Sequence, residues 1–312
     1  MNQNKRTRVA IAGLGDISHK VYLPLLTAHP EVEIAGVMNR SRQPVEEVIA
    51  RYRLPKGTTD LKEMLCWDLD AVFIHTATES HYDIVMACLE RGLPVYVDKP
   101  LSYQLRQAEE MAAFAESLGV LLAVGFNRRF APQYIRAKEW MTEAGGFERC
   151  TAVKHRTSIQ QRPSRETVYD DLIHMIDTLL WLGDNDYELI HHVLKENEQG
   201  RLRQAFGTIR LGQGFGSYDM VRSAGSDWER LELHGSGRSA EVTNLEQAVF
   251  YAAGEQPRRQ EFGSWDSLLK RRGFTGIVDH FLAALDDPEQ CLVRSDLVTE
   301  SHLLAERLLK TL

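Results

Sequence analysis

The sequence predicts an α/β protein in two parts: an N-terminal doubly wound parallel sheet, then an α+β part with a large, mainly antiparallel sheet. Three observations carry that prediction. A glycine-rich turn, Ala12-Gly13-Leu14-Gly15-Asp16-Ile17-Ser18, sits between the strand-like run Arg8–Ala12 and a helix-like run that starts at Ser18. Up to Gly125, short apolar runs alternate with longer amphipathic ones, as βαβ units require. Beyond Gly125 the chain turns to alternating apolar and polar residues, with glycines at the turns.

Taken in order, the strands of the first part are Val9–Ala12, Val32–Met38, Ala71–Thr76, Pro94–Val97 and Val120–Gly125. Helices fall at Ser18–Ala28, Pro44–Tyr52, Leu61–Cys66, Ser80–Arg91 and Tyr103–Leu118. Gly92 and Pro94 stop the fourth helix, and Pro24 bends or resets the first. In the second part Phe130–Met141 reads as a helix, Cys150–Arg156 as a strand, and residues 157–167 as a polar loop. Tyr169–Leu182 is a long apolar-periodic helix stopped by Gly183. Residues 188–261 read as antiparallel strands, and helices Gly276–Leu285 and Val298–Lys310 follow. The domains are placed at 1–124 and 125–312. One face of the second sheet is expected to meet a helix layer or a partner subunit.

Composition narrows the function. With 312 residues, 43% hydrophobic and 26% charged, the chain is of the globular class. Its 37 basic and 44 acidic residues give a net charge of −7, so it lacks the basic footprint of a nucleic-acid or anionic-membrane binder. No apolar stretch reaches the ~20 residues of a membrane span. Met1–Arg8 is polar with no apolar signal region, which points to the cytoplasm. Cys66, Cys88, Cys150 and Cys291 are scattered without metal spacing, and the first three are expected to be small packing residues.

The glycine turn has the pattern of a Rossmann dinucleotide site. Gly13 permits the tight turn, and Gly15 lets the backbone approach a pyrophosphate. Asp16 and Ile17 lead into a helix N-terminus that offers N–H groups. An acidic residue at the end of the second strand would hold the ribose 2′-OH of NAD. That position is Asn39, followed by Arg40, Ser41 and Arg42, a set suited to a 2′-phosphate. NADP(H) is therefore the expected cofactor, with NAD(H) as the alternative. Thr76, Ala77 and His81 form one mouth loop, with Ser80 as a helix N-cap; Asp98 and Lys99 form another.

Lys99 stands at a strand end, where Pro100 holds it extended and it can polarise a substrate oxygen or relay a proton. The competing reading is a surface lysine. Asp170 and His174, four apart, share a helix face, with His174 as proton acceptor and Asp170 as its orienting partner. Asp177 extends that polar stripe, although a hydrogen-bonded core histidine fits the same pattern. No second His or Cys lies at ligand spacing on this helix, so no metal site is predicted. Asn127 is expected to hydrogen-bond a nicotinamide amide or a substrate hydroxyl. Arg128 and Arg129 either bind an anionic substrate or form salt bridges, the latter for at least one. Lys154, His155, Arg156, Arg162 and Arg165 are further cations that an anionic substrate would use. His19 and Lys20 open the first helix, with no direction fixed by the sequence.

The order and spacing of GLGDIS at 13–18, TATESH at 76–81, VDKP at 97–100, GFNRRFAP at 125–132, KHR at 154–156 and YDDLIHMIDTLLWL at 169–182 are specific together. With them, the chain resembles from end to end the glucose–fructose oxidoreductase/inositol dehydrogenase (Gfo/Idh/MocA) family, and within it the MviM-like oxidoreductases. The resemblance implies a Rossmann domain, a C-terminal domain with a large antiparallel sheet, a nicotinamide cofactor between them, and homodimers or homotetramers through the sheet. It puts the family's catalytic lysine at Lys99, with Asp98 for the usual Glu, and its Asp-x-x-x-His motif at Asp170 and His174. Asn39 replaces the family's Asp, in line with NADP. Ala77-Thr78 replaces Pro-Asn in its Thr-Pro-Asn-x-x-His loop. The implied activity is hydride transfer between nicotinamide and a secondary alcohol or carbonyl of a sugar, polyol or sugar derivative. Two other classes stay open: a glycosidase-type redox hydrolase using NAD, and a cofactor-binding regulator without turnover.

Overall fold

The computed structural model describes residues 6–310, so most of the polar N-terminal stretch read for targeting lies outside the described residues. The chain divides into two compact units, Met1–Gly125 with Val278–Thr299 and Phe126–Ile277 with Glu300–Leu312. This corrects the assignment of everything after residue 124 to one domain. Residues 278–299 return to the first unit for a physical reason. The Val124 N–H donates to the Val293 carbonyl at 2.9 Å, and Phe281 packs edge-on against Phe73 at 5.3 Å.

The first unit holds β1 (Thr7–Ala12), β2 (Val32–Met38), β3 (Gly57–Thr58), β4 (Ala71–Ile74), β5 (Val95–Val97) and β6 (Leu122–Val124). All pair in parallel in the order β3-β2-β1-β4-β5-β6. β1, β4, β5 and β6 are almost wholly buried, the pattern of a sheet covered on both faces. β3 was not expected, because two residues carry no periodicity. Connections reverse direction between β1 and β4, the switch point where such sheets bind ligands. The helix after the glycine turn begins as a π turn, Ser18–Tyr22, in which the Leu23 N–H reaches the Ser18 carbonyl, and continues as α-helix Leu23–Ala28. Pro24 has no N–H to give, so the ladder resets there.

The second unit holds β7 (Arg149–His155), β8 (Tyr187–Glu196), β9 (Leu202–Leu211), β10 (Gly214–Val221), β11 (Trp228–Gly235), β12 (Arg238–Thr243), β13 (Gln247–Ala252) and β14 (Arg258–Gln260). Their order is β14-β13-β12-β11-β7-β10-β9-β8, antiparallel throughout except between β7 and β10. Burial alternates along β7, β9, β10 and β11, as for a sheet with one covered face. Helices Pro132–Thr142 and Ile173–Leu182 cover that face. The opposite face leaves Phe206 and Phe215 exposed, at 41% and 50%. The long helix also opens with a π turn, Val168–Leu172, and a short helix, Ser164–Thr167, interrupts the expected loop 157–167. Cys66 is exposed, not a packing residue; Cys88, Cys150 and Cys291 are buried. No helix among the described residues is long and apolar enough to cross a membrane.

Candidate active site

In the first unit the glycine turn is fixed by backbone packing. Gly13 has φ +96°, and a Cβ there would lie 2.4 Å from the His75 carbonyl carbon and the Thr76 nitrogen. Gly15 is the opposite case: a Cβ would meet nothing within 4 Å, which leaves room for a ligand over the turn. The Gly13 N–H donates to the Met38 carbonyl at 2.8 Å, and the Leu14 N–H to Asn39 Oδ1 at 3.2 Å. Asn39 thus anchors the turn with its oxygen, while its amide N–H₂ has only a long 3.5 Å approach to the Ser41 carbonyl. Arg40 and Ser41 are exposed, and Arg40 forms no ion pair or hydrogen bond among the described residues. Arg42 pairs with Glu46 at 2.9 Å. The Asp16 carboxylate is taken by Lys20 at 2.5 Å, and Ile17 is half-buried.

Beside this turn lie buried polar atoms with no hydrogen-bond partner among the described residues: Ser18 Oγ, Thr76 Oγ1 and both ring nitrogens of His75. The His75 ring stacks on Tyr22 at 3.7 Å. Burial, and then His81, hold its pKa well below the usual range, so the ring is neutral. Unpaired buried hydroxyls are costly and mark places where another molecule completes the hydrogen bonding. Together with the open space over Gly15, they fit a dinucleotide.

The mouth loops differ from expectation at Ser80. His81 is buried between the two loops, with Nδ1 3.0 Å from the Pro100 carbonyl and Nε2 3.2 Å from the Thr76 carbonyl, and its neutral ring donates to one of them. Burial lowers its pKa. Ser80 does not cap the helix His81–Leu89; its hydroxyl donates to the Ala77 carbonyl at 2.8 Å. Ala77 itself is exposed. The Asp98 N–H donates to the Ile74 carbonyl at 3.0 Å, and Lys99 stands half-buried just beyond β5, joined to Pro100 by a cis peptide bond.

In the second unit His174 is 8% exposed and sits one residue into helix Ile173–Leu182. Asp170, in the π turn, accepts from Arg162 Nη1 at 2.7 Å. Asp177 does not extend a reactive stripe. It is buried, bound by Arg129 at 3.0 and 2.7 Å and by the Ser301 hydroxyl at 2.9 Å. Asn127 is buried, and its amide donates to the Arg272 carbonyl at 2.7 Å. Arg128 is bidentate to the buried Glu229 at 2.6 and 2.8 Å, so both arginines of that turn are ion-paired. Arg165 is held by Glu306 at 2.6 and 3.0 Å. His155 stacks on Trp228 at 5.8 Å, and its Nδ1 accepts from the Val221 N–H at 3.1 Å.

Residues 7–126 match the model of an oxidoreductase family with an NAD-binding Rossmann fold, Gfo/Idh/MocA, and residues 132–251 match the YceM-like C-terminal domain. The chain is 33% identical to YceM of Salmonella typhimurium over 306 residues, 98% of this chain and 96% of that protein. It belongs to the Gfo/Idh/MocA oxidoreductase family. A Clostridium difficile dehydrogenase, MviM, has the same fold, with a TM-score of 0.92 at 28% identity over 99% of this chain and 100% of that one. The scyllo-inositol 2-dehydrogenase (NAD(+)) of Bacillus subtilis is 25% identical over 256 residues, 78% of this chain and 73% of that protein. Membership makes this Gfo/Idh/MocA protein an NAD(P)-dependent dehydrogenase.

Sequence reasoning passed over Asp171, Arg222 and Glu229. Lys154, Arg156 and Arg222 all pair with Asp171, and Glu229 is the register partner of Lys154 across β11 and β7. A signal was present. Lys154 follows Cys150 and Ala152 on the inward parity of its strand, and Glu229 precedes Leu231 and Leu233 on the inward parity of its own. A charge at an inward position must be buried and paired.

Proposed function

We propose that this Gfo/Idh/MocA member is an NADP(H)-preferring oxidoreductase acting on a secondary alcohol, or the matching carbonyl, of a sugar, polyol or sugar derivative. The observation that carries the cofactor preference is the end of β2. No carboxylate stands there to hold a ribose hydroxyl. Asn39 offers amide hydrogens, and Arg40 is an exposed guanidinium with no partner among the described residues. When bound, the nicotinamide supplies the hydride acceptor or donor. The chain's own residues do the rest. The glycine turn, Ser18 and Thr76 hold the phosphates. His174 accepts the hydroxyl proton, Lys99 stabilises negative charge on the substrate oxygen, and Asp170, fixed in direction by Arg162, orients the site.

The outer face of the second sheet supports a further part of the reading, that the protein assembles with copies of itself. Phe206 and Phe215 stand exposed on neighbouring strands β9 and β10.

Titration with NADPH and with NADH, followed by nicotinamide fluorescence, tests the cofactor assignment. NADPH is expected to bind more tightly, and Arg40→Ala to weaken NADPH by about tenfold while leaving NADH unchanged. NADH binding as tight as NADPH overturns the preference.

A further inference from the structure

On the covered face of the second sheet, three neighbouring strands run apolar and then charged. β7 carries Cys150, Ala152 and then Lys154. β10 carries Tyr218 and Met220, with Arg222 next on the same parity. β11 opens with Glu229 before Leu231 and Leu233. Asp171 descends onto this corner from the π turn and takes both Lys154 and Arg222, with Arg156 Nε 3.6 Å away. Glu229 takes Arg128 and the Tyr134 hydroxyl, the latter at 3.3 Å.

The charges do not balance. Four cations, Lys154, Arg128, Arg156 and Arg222, face two buried carboxylates. The exposed Asp227, which Arg156 and Arg222 also feel, adds a third negative charge at the rim while accepting the Thr157 N–H and hydroxyl at 2.8 and 3.0 Å, so one positive charge is left over when Lys154 is protonated. A surplus of positive charge away from water is expensive unless an anion joins it. Arg156 is the member that reaches solvent, with its side chain 26% exposed. Its Nη1 makes a 3.3 Å bond to the His155 carbonyl, and its Nη2 meets no acceptor among the described residues.

We propose that an oxyanionic group of the substrate, a carboxylate or a phosphate, seats on Arg156 and neutralises this surplus. Only the word substrate rests on the oxidoreductase reading; the anion site stands on the charge count and the geometry. Asp171 lies beside Asp170 and three residues before His174, so the anion is held at the same end of this helix as the proposed proton acceptor. Arg156 presents a planar fork suited to two oxygens of such a group.

A second readout follows from Lys154. Burial, and then Arg128, push its ammonium down to about 7 against the pull of Asp171 and Glu229, while Arg156 adds repulsion. The groups facing it are those four, with Arg222 and Tyr134 sharing its two carboxylates. A new negative charge at Arg156 draws the Lys154 pKa back up, so anion binding takes up a proton near neutral pH.

The test is calorimetry on protein saturated with NADPH, so that the glycine turn is filled, titrated with acetate and with inorganic phosphate in two buffers of different ionisation enthalpy. One or both anions are expected to bind with proton uptake. Preference between them tells a carboxylate site from a phosphate site. Arg156→Gln should weaken binding by at least about tenfold, and Arg156→Lys should recover part of it. Arg156→Gln leaves Lys154 and Arg222 on Asp171, and a thermal melt confirms that it folds. If neither anion binds, or Arg156→Gln binds as the parent does, the proposal falls. A substrate panel separates it from the parent reading. Neutral polyols oxidised faster than every acidic analogue overturn the assignment of the anion to the substrate and leave the dehydrogenase reading standing. Anion binding that depends on Arg156, without turnover of any alcohol, sinks the dehydrogenase reading alone.

Discussion

The two sheets of this molecule keep their chemistry in different places. In the parallel sheet the strands are apolar along almost their whole length, and every candidate group lies beyond a strand end: Gly13 and Gly15 after β1, Asn39 after β2, Thr76 after β4, Lys99 after β5. In the antiparallel sheet the charge enters the strands themselves, at Lys154 and Glu229, and is held by buried ion pairs. The first arrangement recognises a ligand mainly with backbone. The second does so with a side-chain network whose members depend on one another, and the two should fail differently when altered.

The largest effect is expected in the network. Glu229→Gln keeps the shape but leaves Arg128 buried without its charge partner, which costs about 3–5 kcal/mol. Thermal or urea unfolding would measure it. Replacing Arg128 and Glu229 together by apolar residues should recover much of the loss, because the cost comes from the orphaned charge. Acid reaches the same weakness. Burial opposes ionisation of Glu229, but Arg128 overcomes it and brings the carboxyl down from 4.5 to about 2. Its stabilising contribution is complete above 4.5 and is lost as pH falls toward 2. A Glu229→Gln protein as stable as the parent would mean that the two sheets do not differ in this way.

Lys99→Met comes next. Turnover should fall by about 10²–10³-fold, with NADPH affinity near that of the parent, if Lys99 acts on the substrate oxygen. Equal losses of turnover and cofactor affinity would make Lys99 a structural residue. Gly13→Ala attacks the backbone side of the comparison. A Cβ there meets the His75 and Thr76 backbone at 2.4 Å and must adopt φ +96°. A stability loss of about 1–3 kcal/mol is expected, with a larger loss of cofactor binding. Gly15→Ala should fold normally, since its Cβ enters open space, yet still bind cofactor poorly. Parallel losses of folding and binding in both variants would remove the distinction between the two glycines.

The backbone half was the more legible in sequence because its signals are local. A glycine pair, a strand before it and a helix after it are read within a dozen residues. Even the reset at Pro24 could be anticipated. The network half depends on partners far apart in the chain. Arg128 meets Glu229 and Arg129 meets Asp177 only after the sheet and helix have formed, and Asn127 finds its acceptor at Arg272. No spacing rule leads from one to the other. Asp170 drew attention by its distance from His174, while its neighbour Asp171 turns out to hold three cations. Inward parity at Lys154 and Glu229 was the one local clue. The return of residues 278–299 to the first unit left none, because an amphipathic helix does not say which core it will join.

The smallest expected effect sharpens the cofactor end of the comparison. Arg40 and Arg42 are two residues apart and equally basic, but they stand in different company. Arg42 lies in the first turn of helix Arg42–Tyr52, paired with Glu46 four residues on, and both side chains are well exposed. Such a pair is worth about 0.2–0.5 kcal/mol. Arg42→Ala should therefore change melting temperature and NADPH affinity little, less than about threefold in affinity. Arg40→Ala should cost about tenfold. The reverse ranking would carry a specific meaning. A 2′-phosphate that draws Arg42 away from Glu46 must sit over the start of that helix, and Glu46→Ala would then tighten NADPH by releasing the arginine. Measuring the three variants side by side decides which guanidinium reads the phosphate.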